Sequence, residues 1–232
     1  MRPEILTQLL QDRAANLPVA LATNLKSGAQ TLLYLYGKKG AKDWPHEVAE
    51  AARAALVADK PATVDTAEGP VFINVFNPPL RLVVVGAVHI TQALAPIAAL
   101  GGYAVQVIDP RRAFGNEDRF PGVELSNAWP DEALAATKPD LRTAIVTLTH
   151  DPKLDDPALS AGLKSDAFYL GALGSKKTHA ARLERLRRLG FSDDDLARIH
   201  GPVGLDIGAK SPAEIAVAIM AQVTQSLRQA HP

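Results

Sequence analysis

Cysteine is absent from the 232-residue chain, and that absence removes several chemistries at once. There is no disulfide, no thiolate to hold a metal, and no sulfur on which this chain carries a persulfide. Net charge is absent too: 25 Lys and Arg balance 25 Asp and Glu. A neutral chain gives no electrostatic case for nucleic acid or an anionic membrane, so a small-molecule or protein partner is expected. No apolar run reaches eighteen residues, so no membrane-spanning helix is expected. The lack of cysteine makes a cytoplasmic setting the natural expectation, and the first residues, Met1-Arg2-Pro3-Glu4, open a polar-punctuated helix pattern without the apolar core of a leader. Motifs of strong chemistry are missing as well. There is no Gly-x-Ser-x-Gly elbow, no Walker-type phosphate loop and no Ser-His-Asp or Cys-His arrangement. His89, His150 and Asp151 are the only groupable metal-ligand types and are too few for a site. No catalytic residue and no bound metal are therefore expected.

What is present suits a folded α/β protein. Apolar residues make up 47% of the chain, enough for a core. The first segment reads helix, strand, strand, helix, strand. Ile5, Leu6, Leu9 and Leu10 recur at helical spacing, Pro18–Thr23 and Gln30–Leu35 read as strands around a turn at Asn24–Ala29, His46–Asp59 is an alanine-rich helix, and Pro70–Phe76 is a strand. Asn77-Pro78-Pro79 then breaks regular structure. The expected organisation is a small N-terminal α/β domain, 1–77, and a Rossmann-like domain, 78–232.

From Leu80 onward strands alternate with helices, the signature of a parallel sheet with helices on both faces. Arg81–Val85, Tyr103–Ile108, Val123–Leu125, Thr143–Leu148 and Ala167–Leu170 read as strands. Helices are expected over Ile90–Leu100, Pro130–Ala136, Pro157–Leu163, Ser175–Leu189, Asp193–Ile199 and Ser211–Leu227. The last begins with a cap at Ser211, Pro212 in its first turn and Glu214 completing a capping box.

Candidate ligand contacts fall after the strands. Gly86-Ala87-Val88-His89 follows the first, and Gly86 suits a tight strand-to-helix turn. A dinucleotide fold puts a second glycine where Val88 stands, so the pattern weakens a dinucleotide reading without weakening the fold. Free amides at a helix N-terminus still suit an anion. Asp109 ends the second strand, where an acid can accept ribose hydroxyls, and the planar forks of Arg111 and Arg112 suit phosphate. Thr149-His150-Asp151 closes another strand, with His150 able to donate to a ligand or move a proton. Gly171-Ala172-Leu173-Gly174-Ser175-Lys176-Lys177 reads as a loosened turn into a helix. Its lysines stand at the positive end of that helix, where an anion would make sense of them. Gly201–Gly208 holds three glycines and a proline, with Asp206 its only charge and Gly208 its last residue. Each feature also has a plain reading as a turn, a cap or a solvated charge.

At these residues the chain resembles the XdhC/CoxI family, accessory factors of xanthine dehydrogenase and related molybdenum hydroxylases. The matching stretches are Pro78–Ile90 (PPLRLVVVGAVHI), Val107–Phe114 (VIDPRRAF), Thr149–Leu159 (THDPKLDDPAL), Phe168–Arg182 (FYLGALGSKKTHAAR) and His200–Glu214 (HGPVGLDIGAKSPAE). The N-terminal segment departs from the family. Members commonly carry a Ser-Thr-Pro-Arg-type stretch after the first strand and often a cysteine, where this chain reads Thr23-Asn24-Leu25-Lys26-Ser27-Gly28.

The resemblance implies a non-catalytic or weakly catalytic chaperone, usually a homodimer. Such a protein binds molybdenum cofactor, as molybdopterin or its dinucleotide form, while a cysteine desulfurase supplies sulfur, and passes it to a xanthine dehydrogenase-type hydroxylase. The phosphate then falls to Arg111, Arg112, Lys176 and Lys177 and the helix starts after Gly86 and Gly174, and pterin nitrogens to Asp109 or Asp206. Alternatives on the same fold are an NAD(P)-dependent oxidoreductase and a nucleotide-sensing regulatory module.

Overall fold

A computed structural model describes residues 2–35 and 44–229. The chain divides into two compact units that part between Pro78 and Pro79.

The first unit is an antiparallel four-stranded sheet with two helices. Its elements run α1 (Pro3–Ala14), β1 (Val19–Asn24), β2 (Gln30–Tyr34), α2 (His46–Ala58), β3 (Ala62–Thr66) and β4 (Gly69–Phe76), with strand order β2-β1-β4-β3. β1 is central and almost wholly buried, as its apolar VALAT run requires. One sheet face packs on Val48, Ala52, Ala55 and Leu56 of α2. The other carries a smaller cluster of Leu9, Val19, Leu21 and Leu32. β3 was not expected. Its burial alternates between half-buried and exposed, because it is an edge strand and only β4 holds it in register, so its apolar signal is faint.

The second unit is wholly parallel. β5 (Leu80–Val85), α3 (His89–Leu100), β6 (Tyr103–Ile108), β7 (Glu124–Ser126), α4 (Pro130–Thr137), β8 (Thr143–Thr147), α5 (Pro152–Leu163), β9 (Tyr169–Ala172), α6 (Lys176–Arg188), α7 (Asp193–Ala197), β10 (Ile199–His200) and α8 (Pro212–Gln229) follow in order. The sheet order is β10-β9-β8-β5-β6-β7, every neighbouring pair parallel. Counted within this unit, that is the 3-2-1-4-5-6 order of a doubly wound Rossmann sheet. The chain reverses its direction of sheet growth between β5 and β8. Val83 and Val85 of β5 face a core built with α4, α5, α6 and α7, while Leu82 and Val84 face a core built with α3 and α8. Burial on both faces explains the unbroken apolar runs of the central strands.

Three expectations shift here. The helix expected from Pro157 begins at Pro152, where Pro152 occupies the first turn and the Asp151 carboxylate accepts the Lys153 amide at 2.9 Å. Two prolines competed to mark the start, and the capped one sets it; Pro157 lies inside the helix. Ile199, expected at a helix end, begins the short edge strand β10. Gly171, expected in a turn, lies within β9, and a Cβ there would meet Val203 at 2.6 Å and the Tyr169 ring at 2.8 Å.

Candidate ligand site at the carboxyl edge

Because all six strands of the second unit are parallel, the turns after β5, β6, β8, β9 and β10 open on one edge of the sheet. Folds of this order bind ligands there, at the point where strand order reverses. In this chain that point lies between Gly86, after β5, and Thr149-His150, after β8.

The Gly86 turn is built tightly. Gly86 has φ +116°, a conformation that favours glycine, and its amide donates to the Ile108 carbonyl at 2.9 Å. Its carbonyl accepts the hydroxyl of buried Thr91. The Ala87 amide donates to Asp109 Oδ2 at 2.9 Å. Val88 occupies the N-cap of α3 without a side-chain cap, and His89 begins the helix exposed. The first amides of α3 thus carry no side-chain acceptor from the cap, the arrangement in which a helix start presents donors to an anion.

Asp109 is 1% exposed and takes the Arg111 fork, with Nε to Oδ1 at 2.9 Å and Nη2 to Oδ2 at 2.8 Å. Burial alone would raise its pKa. The hydrogen bonds from Arg111 and from the Ala87 and Arg111 amides outweigh burial and hold the carboxyl below its ordinary range. Arg112 is exposed. Sequence reasoning missed Arg119, which knits the β6–β7 connection to this turn. Its Nη1 donates to the carbonyls of Ala87 at 2.9 Å and Phe114 at 2.8 Å, and its Nη2 to Gln92 Oε1 at 3.1 Å. Nothing local marks it, since two of its three partners, Ala87 and Gln92, lie 32 and 27 residues away in sequence.

On the β8 side, His150 stands exposed in the left-handed region at φ +62°. A non-glycine residue held there is a strained position of the kind that collects at binding sites. Asp151 caps α5, its Oδ1 accepting the Lys153 amide. The Thr149 hydroxyl donates to Asp155 at 2.6 Å, and Asp155 lies 3.5 Å from Arg182 Nη2. Both ionic side chains are buried, at 1% and 2% exposure. Burial pushes the Asp155 carboxyl up, opposed by the Thr149 hydrogen bond and the Arg182 charge. Arg182 Nη2 also donates to the Leu173 carbonyl at 2.7 Å, while its Nε and Nη1, with Asp155 Oδ2, lack hydrogen-bond partners among the described residues. Arg182 lies on a helix rich in Lys and Arg. The fold turns it inward because it lies on the face of α6 that also buries Leu186.

After β9, Gly174 has φ +144°, Ser175 caps α6 by accepting the Thr178 amide at 3.1 Å, and Lys176 begins the helix exposed. The β10–α8 loop is anchored in its first half. The Val203 amide donates to the Ala172 carbonyl at 3.1 Å and the Gly204 amide to Gln222 at 2.8 Å. Asp206 and Gly208 lie in its exposed second half. The fold thus brings the turns of Gly86, Asp109, His150, Ser175 and Asp206 to one edge. It does not leave Gly171 or the Asp109 carboxylate free for a ligand, and it engages one oxygen of Asp151 as the cap of α5. Among the described residues, no three His, Cys, Asp or Glu side chains converge as a metal site would need, and no helix is long and apolar enough to cross a membrane.

Comparison with known proteins matches this unit to a family model described as the XdhC Rossmann domain, over residues 82–223. The molybdenum cofactor insertion chaperone PaoD of Escherichia coli (strain K12) is 34% identical over 148 residues, covering 64% of this chain and 40% of PaoD. A Bacillus subtilis (strain 168) protein named as a probable xanthine dehydrogenase subunit is 31% identical over 159 residues, 68% of this chain and 46% of that protein. The chain spans less than half the length of either relative. Among solved structures, a xanthine dehydrogenase from Bacillus halodurans shares the fold with a TM-score of 0.71 at 24% identity, over 97% of this chain and 67% of that one.

Proposed function

The chain belongs to the XdhC family, and on that premise we propose that its Rossmann unit binds molybdenum cofactor as cargo and supports its maturation and delivery. The recipient in this reading is a xanthine dehydrogenase-type molybdenum hydroxylase, a class of enzyme that one relative is named for, while another is named as a cofactor insertion chaperone.

The observation that carries the reading is the gathering of unspent donors and cations at the carboxyl edge. The start of α3 has no side-chain cap, Arg111 keeps an exposed edge, and Lys176 and Lys177 stand exposed at the start of α6. A phosphate-bearing pterin supplies the anion that such groups select, together with a polar ring edge for the exposed His150 and Asp206. The bound cofactor would supply the exchange of an oxo ligand for sulfur. This chain's residues would bind it, orient it and keep water from it. With no cysteine here, the sulfur comes from a partner, for which a cysteine desulfurase is the fitting class. Two copies acting as a homodimer in the cytoplasm complete the proposal. Val88, in place of a second turn glycine, counts against a nicotinamide-dependent oxidoreductase on the same fold.

The test is co-purification. The protein is expressed in cells that make molybdenum cofactor, any bound pterin is converted to its fluorescent oxidised form, and its stoichiometry is measured. Near-equimolar pterin that falls on Lys176→Ala/Lys177→Ala supports the reading. No pterin, with a nucleotide bound instead, removes it in favour of a nucleotide sensor or an oxidoreductase.

A further inference from the structure

Asp109 stands where folds of this order place the acid that grips a ribose diol. In this chain that acid is saturated. Its Oδ1 accepts the Arg111 amide at 3.0 Å and Arg111 Nε at 2.9 Å. Its Oδ2 accepts the Ala87 amide at 2.9 Å and Arg111 Nη2 at 2.8 Å. An ionised carboxylate offers about four lone-pair positions, and four hydrogen bonds occupy them. The side chain has no exposed surface, so a hydroxyl has neither a free acceptor nor a path to one.

The same bonds do the opposite for Arg111. They fix two of its three guanidinium nitrogens, and the Phe114 ring lies 4.7 Å from Cζ. Its Nη1 makes no hydrogen bond among the described residues, and 40% of the side chain stays open to solvent. The charges of Asp151 and Asp155 also reach it, but neither carboxylate hydrogen-bonds to it. Asp151 caps α5, and Asp155 takes the Thr149 hydroxyl beside Arg182. A fork locked by one buried partner and open on its outer edge loses little freedom when an anion arrives.

We infer that Arg111, positioned by Asp109, reads a phosphate of the ligand, and that this strand end does not read a ribose diol. The inference rests on the carboxyl edge being a ligand site and narrows what that site selects.

NAD⁺ and NADP⁺ test it, because they differ only by a phosphate on the ribose that this position would meet. Titration calorimetry on the whole chain should show NADP⁺ bound about tenfold or more tightly than NAD⁺. Arg111→Ala should abolish that preference, and Arg188→Ala, which removes an exposed cation in the last turn of α6, should keep it. Asp109→Asn should narrow the NADP⁺ preference severalfold, which a general loss of folding would not do. Equal binding of the two nucleotides, a preference that survives Arg111→Ala, or no saturable NADP⁺ binding at millimolar concentration overturns the inference. The pterin measurement separates this from the cofactor reading. Equal pterin loading with and without Arg111 sinks the Arg111 assignment alone, whereas no pterin beside an Arg111-dependent NADP⁺ preference sinks the cofactor alone.

Discussion

Gly86 and Thr149 touch across the point where the parallel sheet reverses direction: a Cβ on Gly86 would lie 2.7 Å from the Thr149 methyl. The turns after β5 and β8 are therefore packed against each other and not merely near. Whatever sits at the carboxyl edge is shaped by both turns at once, and Thr149 carries the contact onward through its hydroxyl to Asp155.

Gly86→Ala should destabilise the second unit by about 2–3 kcal/mol, since it combines a left-handed backbone with a close contact. Thr149→Ser removes the methyl but keeps the hydroxyl. The double variant should recover part of the loss and leave the part owed to φ +116°. Urea unfolding of the four proteins measures this, and full additivity would show that the contact is not felt.

The buried pair Asp155–Arg182 should be costly to break from one side. Asp155→Ala leaves a cation at 2% exposure without its partner, and a loss of about 3–5 kcal/mol is expected. Arg182→Met should cost less, because burial already pushes the Asp155 carboxyl towards its neutral form. Asp155→Ala combined with Arg182→Met should cost less than the two single losses together. Denaturant midpoints in a double-mutant cycle test this.

Arg119→Ala should loosen the 110–120 connection from the Gly86 turn. It removes three hydrogen bonds made by one cation, with an expected cost of about 2–3 kcal/mol. Amide exchange should rise over residues 87–92 and 110–120 and stay unchanged in α8. A uniform rise throughout the unit would contradict this local role.

Acid should weaken the fold through two histidines. Burial pushes the pKa of His179 down, with the Arg182 charge adding to it, and burial does the same to His200, which stacks on Tyr169 at 4.8 Å. A histidine with a depressed folded pKa binds fewer protons folded than unfolded. Its contribution is whole above the unfolded value of about 6.5 and is lost as pH falls through the window below it. Asp155, shifted upward, works in the other direction, because its protonation relieves a buried charge. Between about pH 7.5 and about pH 5.5 the wild type should lose more stability than His179→Gln/His200→Gln. Parallel pH profiles for the two proteins would remove the histidines from the account.

The Rossmann sheet is written in local pattern. Leu82–Val85 and Ala144–Val146 are continuous apolar runs because strands covered on both faces need them, and intervening helices announce their ends with Ser175, Ser211 and Pro212. Edge strands are the weak point. β3 and β10 each have one neighbour and little buried surface, so neither leaves a strong apolar signal. Two prolines five residues apart left the start of α5 ambiguous until Asp151 capped it.

The site divides along the same line. Which residue types end the strands is a matter of sequence, and so are the absences: no cysteine, no net charge, no glycine at Val88. What those residues are free to do was decided only by tertiary structure. Asp109 and Arg111, two positions apart, read as two ligand contacts, yet in the fold the acid is consumed by Ala87 and the arginine. Arg182, one of a row of cations, became a buried partner of Asp155. Short-range pattern records whether a side chain is buried on a regular element. It does not record which distant group meets a charge, and that meeting determines whether the charge is left for a ligand.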